Sequence, residues 1–133
     1  MTNPYEIFEN NRELECEKGV VIEYPGFSFT ILRAGGTNTK YDEALARKLR
    51  PIANQISFGS MEEGAAKKIY AEVYAETVIV GWDNMADRQG NPLEFNFDNC
   101  VQVLLDLPDL FIDIKKQANS LATFKADKDI EKN

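Results

Sequence analysis

Residues 19–33 run Gly19-Val20-Val21-Ile22-Glu23-Tyr24-Pro25-Gly26-Phe27-Ser28-Phe29-Thr30-Ile31-Leu32-Arg33, and their reading decides the fold. The first half is rich in β-branched and aromatic residues, which favour strands. Pro25-Gly26 suits the two central positions of a type II turn: proline presets the first φ, and glycine accepts a positive φ at the second. Beyond the turn, Phe27, Phe29 and Ile31 alternate with Ser28 and Thr30, so one face is apolar and the other polar. The stretch predicts a β-hairpin with Phe27, Phe29 and Ile31 turned inward, and with Leu14 and Cys16 extending its first strand. A lone hairpin is marginal in water, so helices must cover its apolar face.

Helical patterns lie on both sides. Asn3-Pro4 opens a short helix carrying Tyr5, Ile7 and Phe8, with Asn3 as cap. Ala34-Gly35-Gly36 ends the hairpin as a turn; it lacks the spacing of a phosphate-binding loop. Asn38 or Thr39 then caps a helix whose Tyr41, Leu45, Leu49, Ile52 and Ile56 form one stripe, divided by Pro51 near Arg50. Ser60-Met61-Glu62-Glu63 reads as a capping box. The helix behind it runs from Met61 to about Val80, with Ala66, Ile69, Tyr70, Val73, Thr77 and Val80 on one face. Gly81 is its expected stop and Trp82 a core anchor. Residues 87–92 are a turn by composition. Asn96 caps a helix burying Cys100, Val101, Leu104 and Leu105. Pro108 starts the last helix, on which Phe111, Ile114, Ala118 and Leu121 repeat, with Phe124 one step beyond. The expected fold is α+β: a small antiparallel hairpin or sheet near the N-terminus packed on four to five helices. Residues 1–124 form a single domain, and the charged stretch 125–133 is expected to be a disordered tail.

Composition narrows the function. The 133 residues are 44% hydrophobic and 28% charged, enough for one core. A net charge of -7 argues against a nucleic-acid partner. The basic residues Arg33, Lys40, Arg47, Lys48 and Arg50 cluster in one segment, read as a solvated helix face that pairs with acidic neighbours. No histidine is present, which removes Ser-His-Asp and Cys-His pairs and imidazole metal sites. Cys16 and Cys100 match no metal or redox spacing. Cys16 lies between Glu15 and Glu17, which suppress its thiolate, and Cys100 falls on an apolar helical pattern. Asp106, Asp109 and Asp113, and the pair Glu62 and Glu63, read as solvated acids. Asp83, Asp87 and Asn91 miss the calcium-loop spacing. No secretory or membrane-spanning stretch is visible. The expectation is a soluble protein of the reducing cytoplasm, not an enzyme, with no cofactor and no metal.

Several segments in order carry a resemblance. Glu17-Lys18-Gly19-Val20-Val21-Ile22 leads to Arg33-Ala34-Gly35-Gly36-Thr37-Asn38. Then come Val73-Tyr74-Ala75-Glu76-Thr77, Gly81-Trp82-Asp83, Asp87 with Gly90-Asn91-Pro92-Leu93, and Leu107-Pro108-Asp109-Leu110-Phe111, before the Lys132-Asn133 ending. From about residue 5 to 133 the chain resembles the tail assembly chaperones of long-tailed (siphovirus-type) bacteriophages. The resemblance implies a non-catalytic protein of the infected host's cytoplasm. It would bind the phage tape measure protein, keep it soluble during tail assembly, and be absent from the finished virion. It also implies a longer, frameshifted form that recruits the major tail protein.

A chaperone of this kind needs apolar surface with a charged rim. The stripe Phe111, Ile114 and Leu121, with Phe124, has the spacing of helix-in-groove recognition. The same stripe equally serves as core. Other readings are a minor virion protein for tail completion or head–tail joining, and a phage protein that binds, or is sensed by, a host defence protein. Self-association is compatible with each.

Overall fold

A computed structural model describes residues 3–53 and 63–125. Strands β1 (Val20–Tyr24) and β2 (Phe27–Ile31) pair antiparallel, with Tyr24 opposite Phe27 and Val20 opposite Ile31. Gly26 has φ +86°, the positive value a type II turn needs at its second central position. Phe29 and Ile31 are fully buried and Phe27 half-buried, so the hairpin faces inward as its alternation requires.

The chain then departs from the sequence reading upstream of β1. Leu14 and Cys16 do not extend the strand. Glu13–Glu17 forms a π-helical turn, closed by the Lys18 N–H donating to the Glu13 carbonyl. The physical reason is Glu15, whose carboxylate is fully buried inside this turn. It accepts hydrogen bonds from Asn10 Nδ2 (2.8 Å), an Arg33 guanidinium N–H (2.9 Å), the Thr37 N–H (2.8 Å) and the Thr37 hydroxyl (2.9 Å). Its own carbonyl accepts from the Arg33 N–H at 2.8 Å. A strand through residues 14–16 would not hold that side chain in the Arg33–Thr37 corner.

Helix α1 (Pro4–Phe8) starts at Asn3, whose side-chain oxygen accepts from the Tyr5 N–H. Helix α2 (Thr39–Leu49) runs into a 3-10 turn at Arg50–Ile52, where Pro51 ends the regular ladder. Asn38 precedes α2, but its side chain does not cap it. The buried carboxamide instead donates to the carbonyls of Arg33 (2.7 Å) and Thr77 (2.9 Å). It thereby ties the β2 exit to the end of α3 (Glu63–Thr77). The basic segment pairs across helices as expected: Arg47 holds both oxygens of Glu76, and Lys48 lies 3.5 Å from Glu72. Ile56, the run Ser60-Met61-Glu62 and the Glu63 side chain lie outside the described residues.

Helix α3 ends at Thr77, not Val80, and Gly81 is not its stop. Residues Ile79–Asp83 form β3, which pairs antiparallel with β2 in the order β1-β2-β3. The Val78-Ile79-Val80 run is β-branched throughout, and β2 offers it an open edge. Trp82 crosses from β3 onto Phe29 and Phe95, with ring centroids 5.5 and 5.0 Å away, and donates its indole N–H to the Leu93 carbonyl. Asn96 caps α4 (Phe97–Asp106) by accepting from the Asn99 N–H. Cys100, Val103 and Leu104 are its buried residues, whereas Leu105 is exposed and Val101 half-buried. Pro108 opens α5 (Pro108–Ala118), followed by a 3-10 turn at Leu121–Phe124. Among the described residues, three strands and five α-helices make an α+β fold. Its core joins Phe29 and Ile31 of the sheet to Tyr74, Leu104, Ile114 and Phe124 of the helical layer. The expected tail from residue 126 lies outside the described residues.

Phe29 is enclosed by Tyr24, Phe27 and Trp82. Phe29→Ala is expected to cost about 3–5 kcal/mol on denaturant titration. A loss below about 0.5 kcal/mol would place the core elsewhere.

Burial alone pushes the Glu15 carboxyl up, but its hydrogen bonds from Asn10, Thr37 and Arg33 outweigh this and hold it below its ordinary 4.5. A carboxyl with a lowered folded pKa contributes stability that is complete above its unfolded pKa and fades as pH falls through the folded value. Stability of the wild type is therefore expected to drop as pH falls below about 4.5, and Glu15→Gln to flatten that dependence. Equal slopes for the two proteins would remove Glu15 from the acid transition.

Candidate functional site

The stripe on α5 is closed into the fold. Ile114 and Phe124 are fully buried, Phe111 is nearly so, and Leu121 is half-buried. Phe111 packs edge-on against Tyr74 at 5.2 Å between centroids, with Lys115 Nζ 4.6 Å from its own ring centre. The Ala118 carbonyl accepts from the Ala34 N–H, which anchors the end of α5 to the strand exit. In the folded chain Ile114 and Phe124 serve the core, while Phe111, packed on Tyr74, also lines the cleft next to the stripe. Helical spacing shows that a face is apolar; it does not show whether the partner is internal.

Open apolar surface lies next to that stripe. Leu107 ends α4 and Pro108 begins α5, so the two helices meet at a sharp corner, with Leu107 accepting from the Phe111 N–H. Between this corner and α3 is a cleft of about 400 Å³. Tyr70, Leu105 and Ile112 line it at 37%, 37% and 58% exposure, together with Phe111, Pro108 and the side chains of Lys67 and Lys115. Ile112 is the clearest residue that pattern reading passed over. Its signal is that it falls off the Phe111–Ile114–Ala118 stripe, an apolar residue on the side given to solvent.

A second exposed apolar element is α1. None of its residues is buried, and Tyr5, Ile7 and Phe8 all face solvent.

Several polar groups that could carry chemistry are engaged structurally. Asp113 accepts the Tyr24 hydroxyl at 2.6 Å; burial, and then that carboxylate, keep the phenol protonated far above its ordinary range. Asp106 accepts from Gln102 and lies 3.4 Å from Arg88. Asp87 accepts the N–H groups of Gln89 and Asn91, an Asx-type turn that uses its carboxylate locally. Burial pushes the Cys100 thiol up to about 12, so it stays protonated. Among the described residues no cluster of three or more His, Cys, Asp or Glu side chains is placed to hold a metal ion, and no helix is long and apolar enough to cross a membrane.

Two neighbouring isoleucines separate surface from core. Ile112→Asp is expected to shift stability by no more than about 0.5 kcal/mol, while Ile114→Asp costs upward of roughly 4 kcal/mol or prevents folding. Equal losses on thermal or denaturant melting would mean that the cleft is not free surface.

A family model described as YdaY prophage protein matches residues 36–133. The match begins at Gly36, just after the hairpin, and takes in α2 through α5 with β3. Comparison with curated proteins found no match, and comparison with solved structures found none either.

Proposed function

The chain belongs to the YdaY prophage protein family, and on that premise we propose that it is a tail assembly chaperone that binds the phage tape measure protein and keeps it soluble. Phage origin is the part that family membership supplies. The chaperone role rests on the ordered resemblance that runs from about residue 5 to 133, and the cleft between α3 and the α4–α5 corner is compatible with it.

The chemistry fits the task. A long helical client exposes apolar stripes before tail subunits surround it. Tyr70, Leu105 and Ile112 offer a complementary surface whose burial would stabilise a complex by roughly 25 cal/mol per Å². A net charge of -7 keeps the chaperone–client assembly soluble by mutual repulsion. On this reading the protein acts in the cytoplasm of the infected host, performs no catalysis and is left out of the virion. A longer frameshifted form would bring the major tail protein to the same client.

Co-expression with the tape measure protein tests the role. The wild type is expected to raise the client's soluble fraction several-fold, and Ile112→Asp to lose most of that effect while its circular dichroism is unchanged. Recovery of the chain from purified virions in stoichiometric amounts would favour a minor structural protein instead. A wild type that leaves the client insoluble, yet captures one host protein, would favour the host-directed reading. Rescue by Ile112→Asp at wild-type level would remove the cleft and leave the function standing.

A further inference from the structure

Resting on the chaperone reading above, we propose that the client does not end in the α3 cleft: one client helix crosses the α4–α5 corner and also fills a second groove on the far flank of α4. This adds a binding site and sets a minimum length for the client segment.

The corner separates two hollows, and neighbouring residues take opposite sides of it. Leu105 and Pro108 line the cleft with α3, whereas Asp106 and Leu107 line a groove of about 390 Å³ between α4 and the loop at 85–93. Consecutive residues of a helix point about 100° apart, so the last turn of α4 serves both flanks. Leu107 is 46% exposed. Exposed apolar side chains therefore continue from the cleft, through Leu105, over the corner to Leu107 and the groove.

The groove is held open and has an apolar floor. Met85, Leu93 and Val103 form that floor, with Met85 and Val103 buried. The loop opposite α4 is fastened to itself. The Leu93 N–H donates to the Met85 carbonyl at 3.0 Å, and the Asp87 N–H donates to the Asn91 carbonyl at 2.8 Å. The Asp87 carboxylate takes the N–H groups of Gln89 and Asn91. A wall fixed in this way resists collapse onto the floor, so little ordering remains to be done on binding. The rim is polar and satisfies itself: Gln102 donates to Asp106 at 2.7 Å, and Arg88 reaches from the loop to within 3.4 Å of Asp106. Such a surface ion pair is worth about 0–1 kcal/mol, so it does not bar entry. An apolar floor behind a rim whose polar groups already have partners favours an apolar side chain over a charged one.

A client confined to the cleft would leave Leu107 and the groove floor uncovered. A helix laid across the corner covers both, with apolar residues at i, i+3, i+4 and i+7. A helix with its side chains is about 10–12 Å wide and a client turn rises about 5.4 Å, so crossing α4 takes about two turns and engaging both hollows about three to four, or roughly 11–14 residues. The segment recognised is thus an amphipathic helix of at least that length.

The test uses the full chain co-expressed with the tape measure protein. Leu107→Asp is expected to reduce the wild-type gain in soluble client several-fold with unchanged circular dichroism, and Leu107→Ser replaces it if the aspartate variant unfolds. A photo-crosslinking phenylalanine analogue is placed at Gln89 in the groove wall and, separately, at Lys115 in the cleft. Both are expected to label one client helix, at points within about four turns of each other. Rescue at wild-type level by a folded Leu107 variant would overturn the second groove and leave the chaperone reading in place. So would labelling from Lys115 with none from Gln89, or labelling of unconnected client regions from the two positions. A wild type that leaves the client insoluble would remove the chaperone reading and the second groove together.

Discussion

A buried carboxylate fixes the layout of this molecule. Glu15 has no contact with water, and a charge in that position is tolerated only when it is paired and fully hydrogen-bonded. Its donors come from three places: Asn10 in the N-terminal segment, Arg33 at the end of the hairpin, and Thr37 in the corner before α2. Gly36 lies against the carboxylate at φ +54°, where a Cβ would run into a Glu15 oxygen and the Arg33 side chain. The corner therefore needs glycine for both space and backbone angle. Two residues later Asn38 hooks the carbonyls of Arg33 and Thr77. Satisfying one carboxylate thus sets the hairpin exit and the start of α2, and Asn38 carries that placement to the end of α3, from which β3 departs.

That arrangement explains which parts of the fold were legible in the sequence. The β1–β2 hairpin was, because a two-residue period and a Pro-Gly turn are local signals. So were the starts at Asn3, Asn96 and Pro108, whose chemistry acts within four residues. Strand β3 was not. Val73, Thr77 and Val80 continue a helical spacing, and the change to strand at Ile79 is decided by β2, nearly fifty positions earlier in the chain. Glu15 was equally hidden. Glu13, Glu15 and Glu17 look alike in sequence, but Glu13 lies 3.3 Å from Lys18 at the surface while Glu15 turns inward to Arg33. Only long-range partners tell them apart.

The candidate site was legible in content more than in place. The stripe on α5 marked Phe111 and Ile114 as apolar and paired them with Phe124; the structure places all three in the buried core, with Phe111 against Tyr74 and at the edge of the cleft. Ile112 and Ile114 are two positions apart, about 200° around a helix, and so meet opposite environments. In α1 the limit is length. Five residues make too little periodicity to say which way Tyr5 and Phe8 point, so their exposure becomes visible only when the rest of the core has closed without them.

A protein that handles apolar partners must show apolar surface without loosening its own fold. On the chaperone reading proposed above, the two demands fall largely on different residues. The aromatic chain Trp82–Phe29 and the pair Tyr74–Phe111 close the interior, while Tyr70, Leu105 and Ile112 stay outside on helices that the interior holds rigid. No core residue has to be withdrawn to make contact, so binding need not compete with stability. The charge distribution works with this division. Repulsion from a net charge of -7 acts at range and fades over a screening length of about 8 Å in physiological salt. Inside that distance the apolar walls of the cleft dominate. Indiscriminate sticking through scattered apolar atoms is thereby opposed, and contact is favoured where an apolar segment fits the cleft.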